Sequence, residues 1–261
     1  MIRWIVTDLD GTLVGRDLAM VPASRDALRR FREAGGQVVI ATGRMERSAL
    51  PYYEALGLDG PAILYNGART VNLASGRVHR SHFLPPEAWK TLQAEFDDLP
   101  PGVYPVAFSG GEAYALDNAP ELREFARRDR ITLRHPGAWT SLLAGEISKC
   151  MLIGGPLPDL CVPGTVTTRS EATYLEVLPE GATKGAALHG LAEAEGVPLA
   201  EIAAVGDNPN DLDMIEVAGI GAAVGDGHPS VRSAADVVVR ACTDGAVAQV
   251  VELAFQVNGW S

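Results

Sequence analysis

Residues 2–13 read IRWIVTDLDGTL, and the rest of the fold can be worked out from this stretch. Its first half, Ile2–Thr7, is mostly apolar apart from Arg3 and is rich in β-branched side chains, which is typical of a buried strand. The strand ends at Asp8, Asp10 follows two positions later, and Gly11 permits a sharp turn. Ligands of open α/β sheets bind at the carboxyl ends of the strands. Two carboxylates on one side repel each other unless a cation lies between them, so the pattern favours a cation site over a plain polar turn.

Strands and helices alternate at both ends of the chain. In residues 1–83, short apolar runs at 2–7, 37–41 and 62–65 are separated by helical patterns at 24–34 and 46–56, and this rhythm returns after residue 181. Such alternation predicts right-handed βαβ units and a parallel sheet. We therefore predict an α/β fold with a Rossmann-like, doubly wound parallel-sheet core domain formed by residues 1–83 and 181–261.

The middle of the chain has a different pattern. Residues 84–180 begin with a helical stretch and continue with a predicted hairpin, Val103–Phe108 and Glu112–Leu116, and with further strand-like runs. Residues 154–164 are too rich in glycine and proline for a helix and predict a tight connection. The segment 84–180 is expected to form a smaller, inserted α+β domain.

Composition limits the classes of function. The chain has 261 residues and a formal charge of −11, which argues against nucleic acid or an anionic membrane as a main partner. Hydrophobic residues make up 47%, as in a well-cored enzyme. No apolar run has the length of a membrane span or a secretory signal, and three distant cysteines suggest no disulfide framework. We expect a cytoplasmic protein, with no evident protein partner.

Three other segments place reactive side chains at strand ends or helix starts. Thr42-Gly43-Arg44 follows the second strand, and a hydroxyl with free backbone N–H groups there suits a phosphate, although such a pair is by itself more often an ordinary strand–helix turn. Lys184 begins a helix, where it would neutralise a phosphate oxygen or lie solvated at the surface. Residues 206–211, GDNPND, offer oxygen ligands suited to Mg²⁺, or simply a helix cap.

The order of these segments resembles the haloacid dehalogenase-like phosphatases. The segments that match the four motifs of that superfamily, in order, are DLDGTL at 8–13, ATGR at 41–44, Lys184, and GDNPNDLDM at 206–214. The Cof-like subgroup, which inserts a type C2 cap between the second and third motifs, is the most similar. Tyr65-Asn66-Gly67-Ala68 and residues 178–185, LPEGATKG, also look like that subgroup.

The resemblance implies a mechanism and a set of site residues. Asp8 would attack phosphorus and carry an aspartyl-phosphate, and Asp10 would serve as general acid and then as general base. Asn210 and Asp211 would orient metal-bound water and Lys184. The residues assigned by resemblance to Mg²⁺ are Asp8, Asp10 (through its backbone carbonyl), Asp207 and Asp211. Those assigned to phosphate or substrate are Leu9, Thr42, Gly43, Arg44, Lys184 and Asn210.

The function implied is a Mg²⁺-dependent phosphatase of small phosphorylated metabolites, with sugar or polyol phosphates favoured. A phosphomutase on the same fold and a phosphate-ligand binding protein without turnover remain as alternatives.

Asp226 stands where the family often has asparagine, and residues 154–164 form a short loop where larger relatives carry a helix, so the specificity of the cap is left open. His79 and His82 have the spacing of metal ligands but lack a second pair.

Smaller expectations concern single side chains. We expect Trp89 and Trp139 to be core residues of the insert, and His228 to be a surface histidine. The three cysteines are expected to be small buried hydrophobes.

Overall fold

The computed structural model describes residues 1–260. Its strands are, in chain order, β1 (Trp4–Thr7), β2 (Gln37–Ile40), β3 (Pro61–Leu64), β4 (Arg69–Asn72), β5 (Val78–Ser81), β6 (Val103–Ser109), β7 (Glu112–Tyr114), β8 (Leu133–Arg134), β9 (Ile147–Gly154), β10 (Thr165–Glu171), β11 (Tyr174–Pro179), β12 (Ile202–Gly206), β13 (Ile220–Ala223) and β14 (Val237–Val238). Its α-helices are α1 (Pro22–Glu33), α2 (Glu46–Ala55), α3 (Pro86–Asp97), α4 (Pro120–Asp129), α5 (Lys184–Ala194), α6 (Leu212–Val217), α7 (Pro229–Ala234) and α8 (Ala246–Asn258).

The core sheet is parallel, with the strand order β14-β13-β12-β1-β2. Strand β1 lies between β2 and β12, and Val6 is opposite Val39 on one side and Ala204 on the other. A parallel bridge from Ala41 to Ile63 brings β3 next to the end of β2. From there β3, β4 and β5 form a small sheet of their own.

Helices cover both faces of the core sheet, which confirms the predicted doubly wound α/β fold. Helices α1 and α8 pack together on one face, where the rings of Phe31 and Phe255 have centroids 6.5 Å apart. On the other face, α5 and α6 pack against each other and bury alternate strand residues such as Trp4 and Val6. Helix α1 begins two residues before the predicted start because Pro22 suits the first helical turn.

The inserted segment has its own sheet, with the order β10-β11-β9-β6-β7-β8. One face of this sheet buries an aromatic cluster in which Trp89, Phe96 and Trp139 meet edge to face, with centroids 5.4–6.1 Å apart. The expectation that both tryptophans are core residues is confirmed. The hairpin prediction was too simple, because β7 ends at Tyr114 and also pairs in parallel with β8, which the sequence pattern did not reveal.

Contacts divide the chain into two compact units. The core unit consists of Met1–Gly43, Ala49–Arg80 and the residues from Thr183 on, and the insert unit consists of Arg44–Ser48 and Ser81–Ala182. The sequence-based domain boundaries, 84 and 180, stay a prediction. The grouping by contacts adds Arg44–Ser48 to the insert and places the ends of its main segment at Ser81 and Ala182.

Two further structural findings concern single residues and the helices. Cys150 and Cys242 are buried as expected, but Cys161 is exposed, because it lies in the glycine- and proline-rich connection between β9 and β10. Within residues 1–260, no helix combines the length and the apolar character needed to cross a membrane.

Candidate active site

The carboxyl ends of β1 and β12 bring the two main acidic segments together. These strands are parallel neighbours, and the backbone N–H of Asp8 donates to the carbonyl of Val205 at 3.0 Å. Asp8 and Asp207 therefore follow adjacent strands, and both are at most 9% exposed. Thr12 donates from Oγ1 to Oδ1 of Asp207 at 2.9 Å, which links the turn after β1 to the loop after β12. Nothing in the sequence pattern pointed to this role of Thr12.

Lys184 is completely buried and lies between two carboxylates. Its Nζ donates to Oδ1 of Asp8 and to Oδ1 of Asp211, each at 2.6 Å. Thr183 caps the helix that Lys184 begins, since its Oγ1 accepts a hydrogen bond from the backbone N–H of Ala186 at 3.1 Å. The alternative of a solvated surface lysine is wrong.

Asp211 acts as a structural link as well as an ion-pair partner. Its Oδ2 accepts from the backbone N–H groups of Asp207 at 2.9 Å and Asn208 at 3.0 Å, and its Oδ1 takes the bond from Lys184. Asn208 and Asp211 form a capping box at the start of the short 3₁₀ turn that precedes α6. The helix-cap interpretation of this segment is therefore correct, and the same carboxylate also orients Lys184.

The carboxylates of Asp8, Asp207 and Asp211 fit a divalent cation. Each offers an oxygen within 4.8 Å of the others, and all three are buried. Three carboxylates against the single ammonium of Lys184 leave an excess of two negative charges, which a hard cation with oxygen ligands would balance. Asp211 accepts three hydrogen bonds, two of them from backbone N–H groups that fix its position, whereas Asp207 accepts bonds from the two side chains of Thr12 and Asn208 and Asp8 one from Lys184, so Asp8 and Asp207 are the better placed to hold the ion.

The pKa values reflect this crowding of charge. Burial raises the pKa of Asp8 well above its usual range, although Lys184 opposes the shift. Burial, with the charge of Asp211, raises the pKa of Asp207 to about 7. Burial by itself would lower the pKa of Lys184, but the charges of Asp211 and Asp8 and their hydrogen bonds raise it above its ordinary value. Lys184 therefore stays protonated at neutral pH, but its single positive charge does not balance the charges of the three carboxylates.

Glycines allow the loops to approach this closely. Gly11 has a φ of 84°, and a Cβ atom there would lie 2.5 Å from Oδ2 of Asp207. A Cβ atom on Gly206 would overlap the side chain of Asp211. Any larger residue at either position would displace an acidic side chain of the site.

The loop after β2 lies at the same edge of the sheet. Thr42 is buried, its N–H donates to the carbonyl of Ile63, and its carbonyl accepts from the N–H of Asn66 at 3.0 Å. Asn210 donates from Nδ2 to Oδ1 of Asn66, also at 3.0 Å. Asn66 thus joins two predicted site segments. The sequence contained it only as part of a family-like stretch and gave no reason to assign it a role.

The remaining predicted site residues differ in their placement. Asp10 is exposed and forms a bridge with Val14 in the turn after Asp8. Leu9 is fully buried, and its carbonyl accepts three backbone N–H groups of that turn, so its side chain belongs to the core. Arg44 is buried with the insert unit, and its guanidinium is 4.0 Å from the carboxylate of Asp129.

Two of the minor candidates also have identifiable contacts. His228 is exposed as expected and caps α7, since its Nδ1 accepts from the N–H of Ser230 at 3.2 Å. Asp226 accepts the N–H of Cys242 at 3.0 Å. Among the residues that the structure describes, the cluster with metal-ligand geometry is acidic and contains neither His79 nor His82.

Known proteins resemble this chain over nearly its whole length. A family model described as haloacid dehalogenase-like hydrolase matches residues 5–251. The chain is 30% identical over 270 residues to a pyridoxal phosphate phosphatase of Escherichia coli, covering 95% of this chain and 97% of that protein. It is 28% identical over 252 residues to a 5-amino-6-(5-phospho-D-ribitylamino)uracil phosphatase of Bacillus subtilis, covering 89% and 90%. The crystal structure of a haloacid dehalogenase-like hydrolase from Bacteroides thetaiotaomicron matches with a TM-score of 0.85 and 28% identity, covering 97% and 99%.

Proposed function

The chain belongs to the haloacid dehalogenase-like hydrolase family and is a hydrolase of phosphoric monoesters, and on this premise we propose a Mg²⁺-dependent phosphatase that works through Asp8. The proposed substrate is a small phosphorylated metabolite, with sugar and polyol phosphates favoured. The relative that acts on a phosphorylated ribityl compound supports a polyol phosphate. The cytoplasm is the proposed compartment, in keeping with three free cysteines.

One observation carries the proposal: the ammonium of Lys184 holds Oδ1 of Asp8 at 2.6 Å inside a buried acidic cluster. That bond fixes the carboxylate and leaves Oδ2 of Asp8 as the atom that attacks phosphorus. Asp211, which accepts from the same ammonium, keeps it in place. A carboxylate held in one orientation by an adjacent cation is suited to act as a nucleophile.

The proposed reaction has two steps. The Oδ2 atom of Asp8 forms a bond to phosphorus as the bond to the leaving oxygen breaks, and Asp10 gives that oxygen a proton. Asp10 then takes a proton from the water that attacks the aspartyl-phosphate, which releases phosphate and restores Asp8. Asp10 is suited to both roles because it is exposed and only two residues beyond the nucleophile.

The other proposed groups bind charge rather than exchange protons. The Thr42 hydroxyl, the Gly43 N–H and the Lys184 ammonium are proposed to hold the phosphate oxygens, which is where most of the rate enhancement of phosphoryl transfer arises. When bound by Asp8, Asp207 and the carbonyl of Asp10, Mg²⁺ would supply the positive charge that offsets the converging negative groups. The excess negative charge of the carboxylate cluster supports this assignment.

The test is phosphate release from p-nitrophenyl phosphate with and without Mg²⁺. Wild type is expected to turn over only with the metal, and Asp8→Asn is expected to be inactive. Asp97→Asn, which removes an exposed carboxylate at the end of α3, should match wild type. Turnover by Asp8→Asn, in a sample shown by mass spectrometry to contain no deamidated protein, would refute the assignment of the nucleophile. A screen of sugar and polyol phosphates then tests the substrate class.

A further inference from the structure

The turn between β3 and β4 connects two loops of the candidate site through one side chain. In this turn, Tyr65–Gly67, the backbone N–H of Asn66 donates to the carbonyl of Thr42 at 3.0 Å. The side-chain Oδ1 of Asn66 accepts from Nδ2 of Asn210 at 3.0 Å. The loop after β2 and the loop after β12 are thus joined by two hydrogen bonds that share one residue.

The backbone of this turn is strained and tightly packed. Tyr65 and Asn66 have φ values of 50° and 53°, in the left-handed region, and both are buried. A bulky residue in that region is a rare outlier, and such strain persists only where the surroundings fix it, most often at functional sites. A Cβ atom on Gly67 would overlap the carbonyl of Thr183. The turn therefore also packs against the start of the helix that carries Lys184.

We propose that Asn66 is a positioning residue that sets the distance between the Thr42–Gly43 loop and Asn210. Asparagine meets both demands of the position, because it tolerates the left-handed backbone and its amide oxygen accepts the bond from Asn210. The fit is close, since a Cβ atom on Gly43 would lie 3.1 Å from Oδ1 of Asn66. This inference rests on the proposed function, in which the Thr42–Gly43 loop and Asn210 bind the phosphate or the substrate.

The kinetic test uses Asn66→Gly, which keeps the backbone conformation accessible and removes only the side chain. We expect kcat for p-nitrophenyl phosphate to fall about five- to tenfold, as for the loss of one hydrogen bond, with KM changed by less than about twofold. The matched control is Arg130→Gly, the same exchange at an exposed left-handed residue with a φ of 55°, and it should leave kcat unchanged. Combined with Asn210→Ala, Asn66→Gly should cause a smaller loss than it does alone, because both changes remove the same bond.

Amide hydrogen exchange provides a measurement that does not depend on turnover. In Asn66→Gly, peptides that cover residues 42–44 and 208–211 should exchange faster than in wild type, while those from β1 and β12 stay the same. Unchanged exchange in both segments would overturn the proposal. So would a wild-type kcat, a raised KM with normal kcat, or losses that add in the double variant. If wild type hydrolyses no phosphate ester, the proposed function fails, and the exchange data alone decide whether Asn66 holds the loops.

Discussion

Removal of the charge on Asp207 is expected to stabilise the metal-free protein. Burial and Asp211 raise the pKa of Asp207 from 3.8 to about 7, so the carboxylate that is present at pH 8 is unfavourable in the folded state. At about 1.4 kcal/mol per pKa unit, the charge costs on the order of 4 kcal/mol. Asp207→Asn also loses the hydrogen bond that Asn208 donates to Oδ2 of Asp207 in wild type, which lowers the free energy of unfolding by about 1–2 kcal/mol. The free energy of unfolding at pH 8 should rise by about 2 kcal/mol.

The dependence on pH has a defined sign. Because the folded-state pKa of Asp207 is the higher one, the folded protein binds more protons than the unfolded chain between pH 3.8 and about 7. The stability of metal-free wild type should therefore fall as the pH rises through that window, and this contribution should be absent from Asp207→Asn. With Mg²⁺ at saturation, wild type should become more stable than Asp207→Asn. A ligand at 100 times its Kd adds about 2.7 kcal/mol to the free energy of unfolding, and only wild type is expected to bind the ion.

The assay is urea unfolding of protein treated with a chelator, at pH 5 and pH 8, followed by titration with Mg²⁺. The control is Asp226→Asn, which neutralises an exposed carboxylate and keeps an oxygen to accept the N–H of Cys242. It should change the free energy of unfolding by less than about 0.5 kcal/mol and preserve the Mg²⁺ response. The reasoning is refuted if metal-free Asp207→Asn is less stable than wild type at pH 8, or if Mg²⁺ stabilises both equally.

Two other predictions concern single residues. In native protein at pH 7.5, a thiol reagent should modify Cys161 alone, because Cys150 and Cys242 are buried and burial raises the pKa of Cys242 to about 11. Mass spectrometry counts the labels, and early labelling of Cys150 or Cys242 would contradict their burial. Gly11→Ala should abolish most turnover and cost at least about 1 kcal/mol more in unfolding free energy than Gly76→Ala, since both glycines have positive φ but only at position 11 would a Cβ atom meet a carboxylate of the site. Equal losses in the two variants would show that backbone conformation alone accounts for the effect.

The parts of the fold that could be predicted depend on local patterns. Apolar runs of strand length, followed directly by Asp8 or Asp207, located the strand ends, and the parallel topology then placed both at one edge. The helix dipole, which disfavours a lysine at a helix start, made Lys184 a candidate, and the resemblance to the family assigned its role. Each of these signals lies within a few residues of the side chain concerned.

Features that depend on contacts distant in the chain were not predictable. Strand β8 has two residues and no periodicity, and it exists because β7 offers it a partner. Asn66 obtains its role from Thr42 and Asn210, which are far from it in the sequence. The exposure of Cys161 follows from the course of a loop, which residue type alone does not determine.

The choice of lysine at position 184 follows from the geometry. The chain has 22 basic residues, of which only Lys90, Lys149 and Lys184 are lysines. A guanidinium presents its donors in a planar fork, whereas an ammonium is a compact charge with three donors that point apart. Lys184 donates two of these hydrogen bonds to Asp8 and Asp211, at 2.6 Å each. In the proposed mechanism the third donor is directed to a phosphate oxygen, so one fully buried cation orients the nucleophile and stabilises the transferred group. Arginine, which supplies most of the other basic residues of this chain, would place a larger, planar group in this completely buried site.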